Sequence, residues 1–501
     1  MTLTLNLFVL LSLLELLLLT KAFWPVRRPL AAGLAIGIAL LSGTIVGTRF
    51  SLATILIALL TLYRVLNLLR IVQNRSEAHY LRKAVRRTSL ILFGMQIILL
   101  IVLRVADATQ PFAQTWWLVV SLIQLAVAAM LFVSTQRHLR TTIPLAVSEH
   151  FSNSQLPSLS VCIPARNETV DLEECLESLL ASDYPKLEII VLDDCSQSKH
   201  TSDIIRSFAH EGVRFINGKT APGCWLSKNW AYEQLFEASS GTLVLFCGVD
   251  IRFEPTAVRS LLTAQIAKDK RMMSVIPRNA VPRFGKDQLS LLIQPARYAW
   301  EFALPRRLFN RPPVLSSCWV AERTLIDRNG SFAAVKNSIS PEAYFAKRAT
   351  RRDGYSFVQS TSSMAITTVK TQTQQWATAV RTRYPQLRRR PENVCLITFI
   401  ELGLILGALP MLIVAMVQGL VGQAFIATLA LTLICLTYAE IVSLTYRQSF
   451  VRALFIAPLA VILDVYIRHE SLWRYEFGEV SWKGRNVCLP VMRTIPRLPR
   501  V

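Results

Sequence analysis

The chain has 501 residues, 55 of them basic and 33 acidic, for a formal net charge of +22. Apolar residues make up 52% and charged residues 18%, which excludes a small disulfide module, a short helical peptide and an acidic or low-complexity disordered protein. A water-soluble chain carries about 25% charged residues; the shortfall here is confined to long apolar runs at both ends, and the middle has an ordinary globular composition.

Apolar runs at residues 5–20, 30–48, 52–69, 90–105 and 116–133 precede the middle, and runs at 394–417 and 424–444 follow it. Each is about long enough to cross roughly 30 Å of hydrocarbon as a helix. The expected organisation is about five transmembrane helices in 1–140, a soluble domain in 150–390, two transmembrane helices in 391–445, and an interfacial helix with a basic tail in 446–501. Glu401 and Glu440 fall inside the last two spans, where a carboxylate is paired, interfacial or in contact with a lipid-linked substrate. Arg49 and Arg64 complicate the second and third spans.

Basic residues set the orientation. Lys21, Arg27 and Arg28 follow the first span, and Arg70, Arg75, Arg82, Lys83, Arg86 and Arg87 follow the third. Arg137 and Arg140 follow the fifth, whereas residues 107–114 have no Lys or Arg. The start lacks a basic leader and a small-residue cleavage site, so it reads as a span. These features predict a multi-pass protein, as in a bacterial inner membrane, with its middle domain in the cytoplasm. The run at 453–467 is short and contains Asp464, and the tail beyond it is basic, which predicts an interfacial or re-entrant helix and a cytoplasmic tail. The positive faces, with Arg381, Arg383 and Arg388 to Arg390, suit acidic lipid headgroups, and no nucleic-acid partner is expected. The nine cysteines form no CxxC pair and the six histidines are scattered, which points to small buried thiols in a reducing compartment and no zinc site.

In the middle, strands are predicted at 158–164, 187–192, 213–216, 242–246, from 274, and at 315–320. Helices are predicted at 172–180, 201–209, 226–235 and 255–266. Such alternation indicates an α/β fold with a mostly parallel, Rossmann-like sheet covered on both faces. Polar residues gather just past the strand ends, at 166–168, 193–196 and 248–250, the edge where open α/β sheets bind ligands. There is no GxGxxG after the first strand, no GxxxxGK[ST] and no GxSxG, which argues against a dinucleotide oxidoreductase, a P-loop enzyme and the usual hydrolase elbow.

A set of short motifs carries a family likeness. They are Pro164-Ala165-Arg166-Asn167-Glu168, Asp193-Asp194-Cys195-Ser196, Pro222-Gly223-Cys224-Trp225-Leu226-Ser227-Lys228, Asp250, Pro341-Glu342 ahead of Gly354-Tyr355, Gln372-Thr373-Gln374-Gln375-Trp376, and Trp482-Lys483-Gly484-Arg485 with Asp464 upstream. In this order the chain resembles the membrane-bound family 2 glycosyltransferases, and most nearly their lipid-modifying branch, the ceramide-glucosyltransferase-like, hopanoid-associated and carotenoid enzymes. The resemblance implies a GT-A fold, a UDP-sugar or other nucleotide-sugar donor, Mg²⁺ or Mn²⁺, a lipid acceptor in the bilayer, and inversion by direct displacement. It puts Pro164, Arg166, Glu168, Asp193, Asp194, Lys228 and Asp250 at the donor, with Asp250 also the metal ligand. Glu342 becomes the base that takes the acceptor's proton. Gln372, Gln375, Trp376, Trp482 and Arg485 line the acceptor and diphosphate region.

The residues leave alternatives beside these roles. One of the paired aspartates caps a following helix, Lys228 is a solvated helix-start lysine, Trp376 packs at the membrane interface, and residues 482–485 are a basic anchor. Tyr298, Trp300 and Phe302 border an acceptor channel or simply pack. Three departures from the family pattern stand out: Gly248 where a first aspartate is usual, Gln375 where an arginine is usual, and Ala343 where the catalytic aspartate is usual. A processive polysaccharide synthase, a catalytically weakened relative and a non-enzymatic membrane scaffold or transporter are the rival readings. The sugar, nucleotide, lipid and oligomeric state are not legible.

Overall fold

The computed structural model of the chain describes residues 2–15, 18, 26–48, 52–73, 94–96, 98, 110–144, 151–279, 289–303, 312–350, 354–361, 365–446 and 450–488. Most of the fourth expected span, and the basic residues between 75 and 87, lie outside the described residues, as do Lys21, Arg49 and the side chain of Trp300. The chain divides into two compact units. The first comprises Met1–Met130, Arg383–Ile434 and Val461–Phe477; the second comprises Leu131–Thr382, Cys435–Ala460 and Gly478–Val501.

The apolar runs form helices α1 (Thr2–Glu15), α2 (Arg27–Thr48), α3 (Leu52–Gln73) and α4 (Gln110–Arg140). Among the described residues, five helical stretches are long and apolar enough to cross a membrane: Arg27–Gly47, Trp117–Arg140, Pro391–Val417, Val421–Thr445 and Phe450–Glu476. The chain is a polytopic membrane protein that carries a soluble α/β domain. In the first unit, Arg64 is buried in α3 because Glu15 of α1 pairs with it, Nε donating to Oε2 at 2.8 Å, and Ser12 accepts from Nη1 at 3.0 Å.

The soluble domain occupies the second unit. Its strands are β1 (Ile143–Pro144), β2 (Leu159–Ala165), β3 (Leu187–Asp193), β4 (Arg214–Asn217), β5 (Leu243–Cys247), β6 (Ile251–Phe253), β7 (Met272–Ile276), β8 (Arg278–Asn279), β9 (Cys318–Glu322), β10 (Tyr355–Gln359) and β11 (Ile366–Thr368). Its helices include α5 (Val170–Leu180), α6 (His200–Ser207), α7 (Ser227–Ala238), α8 (Ala257–Ala267), α9 (Ser290–Phe302), α10 (Arg323–Asp327), α11 (Pro341–Thr350) and α12 (Gln372–Gln386). The main sheet has eight strands in the order β1-β10-β7-β9-β5-β2-β3-β4. All pairings are parallel except those of β9, which runs antiparallel to both β5 and β7.

The continuous apolar strands are explained by two cores, one on each face. Val161, Ile163, Val191, Leu245 and Cys247 enter the first core; Cys162, Ile190, Leu192, Val244 and Phe246 enter the second. Consecutive residues therefore alternate between two buried faces, and no polar position is needed. In the second core Phe246 stacks on Trp319 at 4.6 Å and meets Tyr232 edge-on at 4.9 Å. Burying such a ring is worth about 2–3 kcal/mol.

Beyond the domain come α13 (Pro391–Phe399), a π-helical turn at Ile400–Ile405, α14 (Ala408–Val417), α15 (Val421–Thr445) and α16 (Phe450–Glu476). The π turn has a local cause: Gln124 of α4 donates to the carbonyl of Gly403 at 2.9 Å and so interrupts the helical ladder. The short helix expected at 453–467 is the centre of the continuous 27-residue α16. Its polar last turns continue because they have partners, including Glu401 for Arg468 and the backbone N–H of Tyr384 for Ser471. Arg383, expected at a lipid-facing surface, is buried and paired with Asp464. Glu401 and Glu440 are both paired: Arg468 grips Glu401 at 2.7 and 2.8 Å, and Gln136 donates to Glu440 at 2.6 Å.

Candidate active site

The site begins at the carboxyl ends of β2 and β3. Ala165 and Asp193 are opposite one another, so Arg166 and Asp194 leave the sheet together. Asn167 and Cys195 follow in left-handed backbone, φ 48° and 52°. Non-glycine residues there cost energy and persist where surrounding contacts hold them. The contacts are present: Asn167 N donates to Ser196 Oγ at 2.9 Å, and Gln197 N donates to Asn167 Oδ1 at 2.8 Å.

The two aspartates separate into different tasks. Asp193 Oδ1 accepts from Ser196 N at 3.0 Å and holds the turn; the next helix starts only at His200 and has Lys199, not an aspartate, at its N-cap. Asp194 is 1% exposed and faces the tail, where Arg485 Nη1 reaches both its carboxylate oxygens at 2.7 Å and Nη2 reaches its carbonyl at 2.9 Å. Burial pushes the Asp194 carboxyl up from its ordinary value, against the opposing pull of Arg485 and Arg166.

The tail comes to this edge as a hairpin of β12 (Ser481–Trp482) and β13 (Arg485–Asn486). Its turn residues, Lys483 and Gly484, have φ 47° and 80°, the two positive values of a type I′ turn. Lys483 pairs with Glu168, and its carbonyl accepts from Arg166 Nε at 3.0 Å. Burial lowers the Lys483 ammonium to about 8. Thus Arg166, Glu168, Asp194 and Arg485 share one charged cluster, and residues 482–485 are docked there. Pro164 sits partly buried near the end of β2.

A second cluster forms past β5. Asp250 Oδ2 accepts from Thr368 Oγ1 at 2.9 Å and lies 3.3 Å from Lys370 Nζ. A Cβ built on Gly248 would stand 2.6 Å from Asp250 Oδ1. An aspartate at 248 would therefore displace the carboxylate at 250, which gives the first departure from the family pattern a steric meaning. Glu342 is 2% exposed in the first turn of α11, where the helix N-terminus favours a carboxylate. Lys228, at the start of α7, has its Nζ 5.1 Å from the centre of the Tyr232 ring. Its ammonium is lowered to about 8, chiefly by burial; Glu342 opposes this, while Arg381, Lys370 and Arg297 reinforce it. Burial also raises the Tyr232 phenol, with further upward pushes from Glu342 and Asp250. Glu342 thus acts electrostatically on Lys228, and Glu342 and Asp250 both act on Tyr232.

Arg381 touches both clusters. Its guanidinium lies over the Trp482 ring at 5.7 Å, and its charge acts on Lys228. Gln375, 6% exposed, donates from Nε2 to the carbonyl of Lys370 at 3.1 Å. Arg297 and Lys370 line the same pocket, so positive charge is present there although residue 375 carries none. Gln372 Oε1 accepts from Leu289 N at 3.2 Å at the start of α12, and Trp376 is partly exposed one residue past Gln375. Tyr298 is buried and lines the pocket, while Phe302 is buried against Phe357 at 5.2 Å. Sequence reasoning did not single out Arg297, Lys370, Arg381 or Lys483 as site residues; only Lys483 stood within a quoted motif.

Among the described residues, no group of three or more His, Cys, Asp or Glu side chains could hold a metal ion. Asp250 alone offers a carboxylate, with Oδ2 engaged and Oδ1 beside the space left by Gly248. That set fits a Mg²⁺-like ion, which takes one or two protein carboxylates and completes its shell with phosphate oxygens and water. It does not fit an ion caged by protein alone.

The mostly parallel sheet with acidic and basic side chains at its carboxyl edge defines a GT-A-like α/β domain. Residues 160–328 match the family described as Glycosyl transferase family 2. Glycosyltransferase AglE of Haloferax volcanii is 33% identical over 101 residues, 19% of this chain and 32% of its own. The 4,4'-diaponeurosporenoate glycosyltransferase of Staphylococcus aureus is 30% identical over 129 residues, 25% of this chain and 33% of its own. The chain spans about a third of the length of these curated relatives. Among solved structures, a mannosyltransferase from Pyrobaculum calidifontis in complex with GDP-Man and Mn²⁺ is similar at a TM-score of 0.38 and 15% identity, over 70% of this chain and 99% of that one.

Proposed function

We propose that the protein is an inverting glycosyltransferase that moves a sugar from a nucleotide-diphosphate sugar to a hydroxyl of a membrane lipid at the cytoplasmic leaflet. The observation that carries this reading is the placement of Glu342 beside Lys228, and of Glu342 and Asp250 around Tyr232, in a domain that includes the stretch matched to Glycosyl transferase family 2. The lipid acceptor draws support from the apolar helices, and from a relative whose name specifies a carotenoid-type acid as its substrate.

In this reading Glu342 takes the proton of the acceptor hydroxyl as its oxygen bonds to the anomeric carbon. The bond from that carbon to the diphosphate breaks on the opposite face, and the nucleoside diphosphate leaves with the bonding electrons. Lys228 and Arg381 offset the charge that develops on the leaving group. Asp250 would hold Mg²⁺ or Mn²⁺, and that ion would supply further neutralisation of the diphosphate. Asp194 and Glu168 face the nucleoside end of the donor, which requires Arg485 and Lys483 to loosen or re-pair when the donor enters.

The test is incubation of membranes containing the full chain with radiolabelled UDP- and GDP-sugars, followed by lipid extraction. Label in the organic phase that depends on Glu342 supports the reading. Absence of lipid label from every donor, with the protein folded and the acceptor lipids of its host present, rejects it.

A further inference from the structure

The pocket beside Asp250 has features that donor chemistry leaves unused. Thr368 and Lys370, which hold Asp250, also form part of its wall. Across from them stand Arg297 of α9, Ser316 and Ser317 before β9, and Gln375 of α12. Gln375 spends its amide N–H groups on the Lys370 carbonyl at 3.1 Å and the Tyr446 hydroxyl at 3.5 Å. Its Oε1 is buried without a hydrogen-bond partner among the described residues, as is the hydroxyl oxygen of Ser317. A buried acceptor left in that state costs about 1–3 kcal/mol. Gln375 Oε1 can only accept, so the missing partner is an O–H or N–H group.

The charge of the pocket is equally specific. Lys370 faces Asp250 at 3.3 Å, which balances that pair. Arg297 has no carboxylate partner among the described residues; its contact is Ser316 Oγ at 3.4 Å. A guanidinium in a partly buried wall, beside a hydroxyl and an amide oxygen, matches an anion adjoining a hydroxyl.

The surroundings point to a lipid. Tyr446, directly after α15, donates to Gln294 Oε1 in the same wall at 3.1 Å. Leu291 of α9 packs with Tyr438, Val442, Ala453 and Ala457 of α15 and α16. The outer face of this part of α16 exposes Val451 at 66%, Phe455 at 79% and Leu459 at 57%, a surface suited to hydrocarbon.

We propose, resting on the glycosyltransferase reading, that this pocket seats the acceptor's headgroup and selects a lipid whose headgroup carries a hydroxyl beside a phosphate or carboxylate. Arg297 binds the anion, and Gln375 Oε1 accepts from that headgroup hydroxyl, which is distinct from the one whose proton Glu342 takes. Arg297 is thereby a specificity-determining residue for the acceptor.

The experiment measures binding by the purified full chain in neutral detergent. The probes are phosphatidylglycerol, which has both groups, dioleoylglycerol, which has the hydroxyl alone, and free glycerol 3-phosphate. Phosphatidylglycerol is expected to bind at least about tenfold more tightly than dioleoylglycerol, a preference lost in Arg297→Gln and kept in Arg297→Lys. Glycerol 3-phosphate competing as well as the whole lipid would show that the headgroup suffices; weaker competition would show that the lipid tails contribute, and either supports the assignment. Equal binding of dioleoylglycerol and phosphatidylglycerol overturns it, as does an unchanged preference in folded Arg297→Gln. Should that variant unfold in a thermal melt, Gln375→Leu decides: it must weaken phosphatidylglycerol binding, and unaltered binding overturns the proposal. Nucleotide-sugar binding by the unaltered protein is measured separately. Selective phosphatidylglycerol binding without nucleotide-sugar binding keeps the pocket assignment and rejects the transferase; the converse rejects the pocket assignment alone.

Discussion

Two groups of buried charges in this protein obey opposite rules. In the helical unit, Arg383 and Arg468 face Glu401 and Asp464, none more than 8% exposed. Cations and anions are equal in number, and Arg468 bonds both carboxylates. In the α/β unit, Arg297, Lys370 and Arg381 act as like charges on Lys228, Glu342 opposes them, and Asp250 pairs with Lys370, so among the described residues of this group four cations stand against two carboxylates. A balanced network in apolar surroundings meets its desolvation cost internally and fixes helix positions. An unbalanced one is stable only with a counter-charge, and an anionic ligand is the natural source.

The contrast can be broken at either end. The largest effect is expected from Glu342→Gln, which should cut labelled-sugar transfer by about 10²–10⁴-fold while donor binding by calorimetry persists. Unchanged turnover would remove Glu342 as the base. Next comes Arg468→Met, which strands Glu401 and leaves Asp464 with Arg383 alone; it should cost about 3–5 kcal/mol, read as a lower unfolding midpoint in detergent. A midpoint equal to that of the parent protein would contradict the structural role of the network. Asp250→Asn should lower transfer by about a hundredfold and abolish its response to added Mg²⁺ or Mn²⁺; an intact metal response would reject Asp250 as the ligand.

The smallest effect concerns pH. Lys228 is lowered from 10.5 to about 8, so it is charged below about pH 8 and neutral above it. Nucleotide-sugar affinity should therefore fall severalfold between pH 7 and 9, and Lys228→Arg should flatten that profile. The same shift works against stability when the lysine is charged: the penalty is present below about pH 8 and disappears as pH rises toward 10.5. Lys483 titrates near the same value, so Lys483→Arg run in parallel separates its contribution.

Much of the fold was legible because its causes are local. The apolar strands and their spacing by helices predicted the sheet, and the polar residues just past 165, 193 and 247 marked the edge where its charged side chains gather. Asp194, Asp250 and Lys228 could be singled out because each follows a recognisable strand end or helix start, whereas Glu342 was named only through the family resemblance. Arg297, Lys370 and Arg381 could not, since nothing in the neighbouring sequence distinguishes them from solvated basic residues. Their importance comes from long-range packing of α9, β11 and α12. The antiparallel course of β9 was hidden because a buried strand reads alike in either direction. The length of α16 was hidden because its polar end is satisfied by residues about seventy to ninety positions away.

The docked hairpin also constrains how the chain threads the bilayer. Because Arg485 and Lys483 grip Asp194 and Glu168, the segments before Arg383 and after Phe477 share one aqueous face. The polypeptide between them must traverse the lipid an even number of times. Among the described residues, three helical stretches in that interval have sufficient length and apolarity, Pro391–Val417, Val421–Thr445 and Phe450–Glu476, so an even count leaves one of them turning back or lying along the surface.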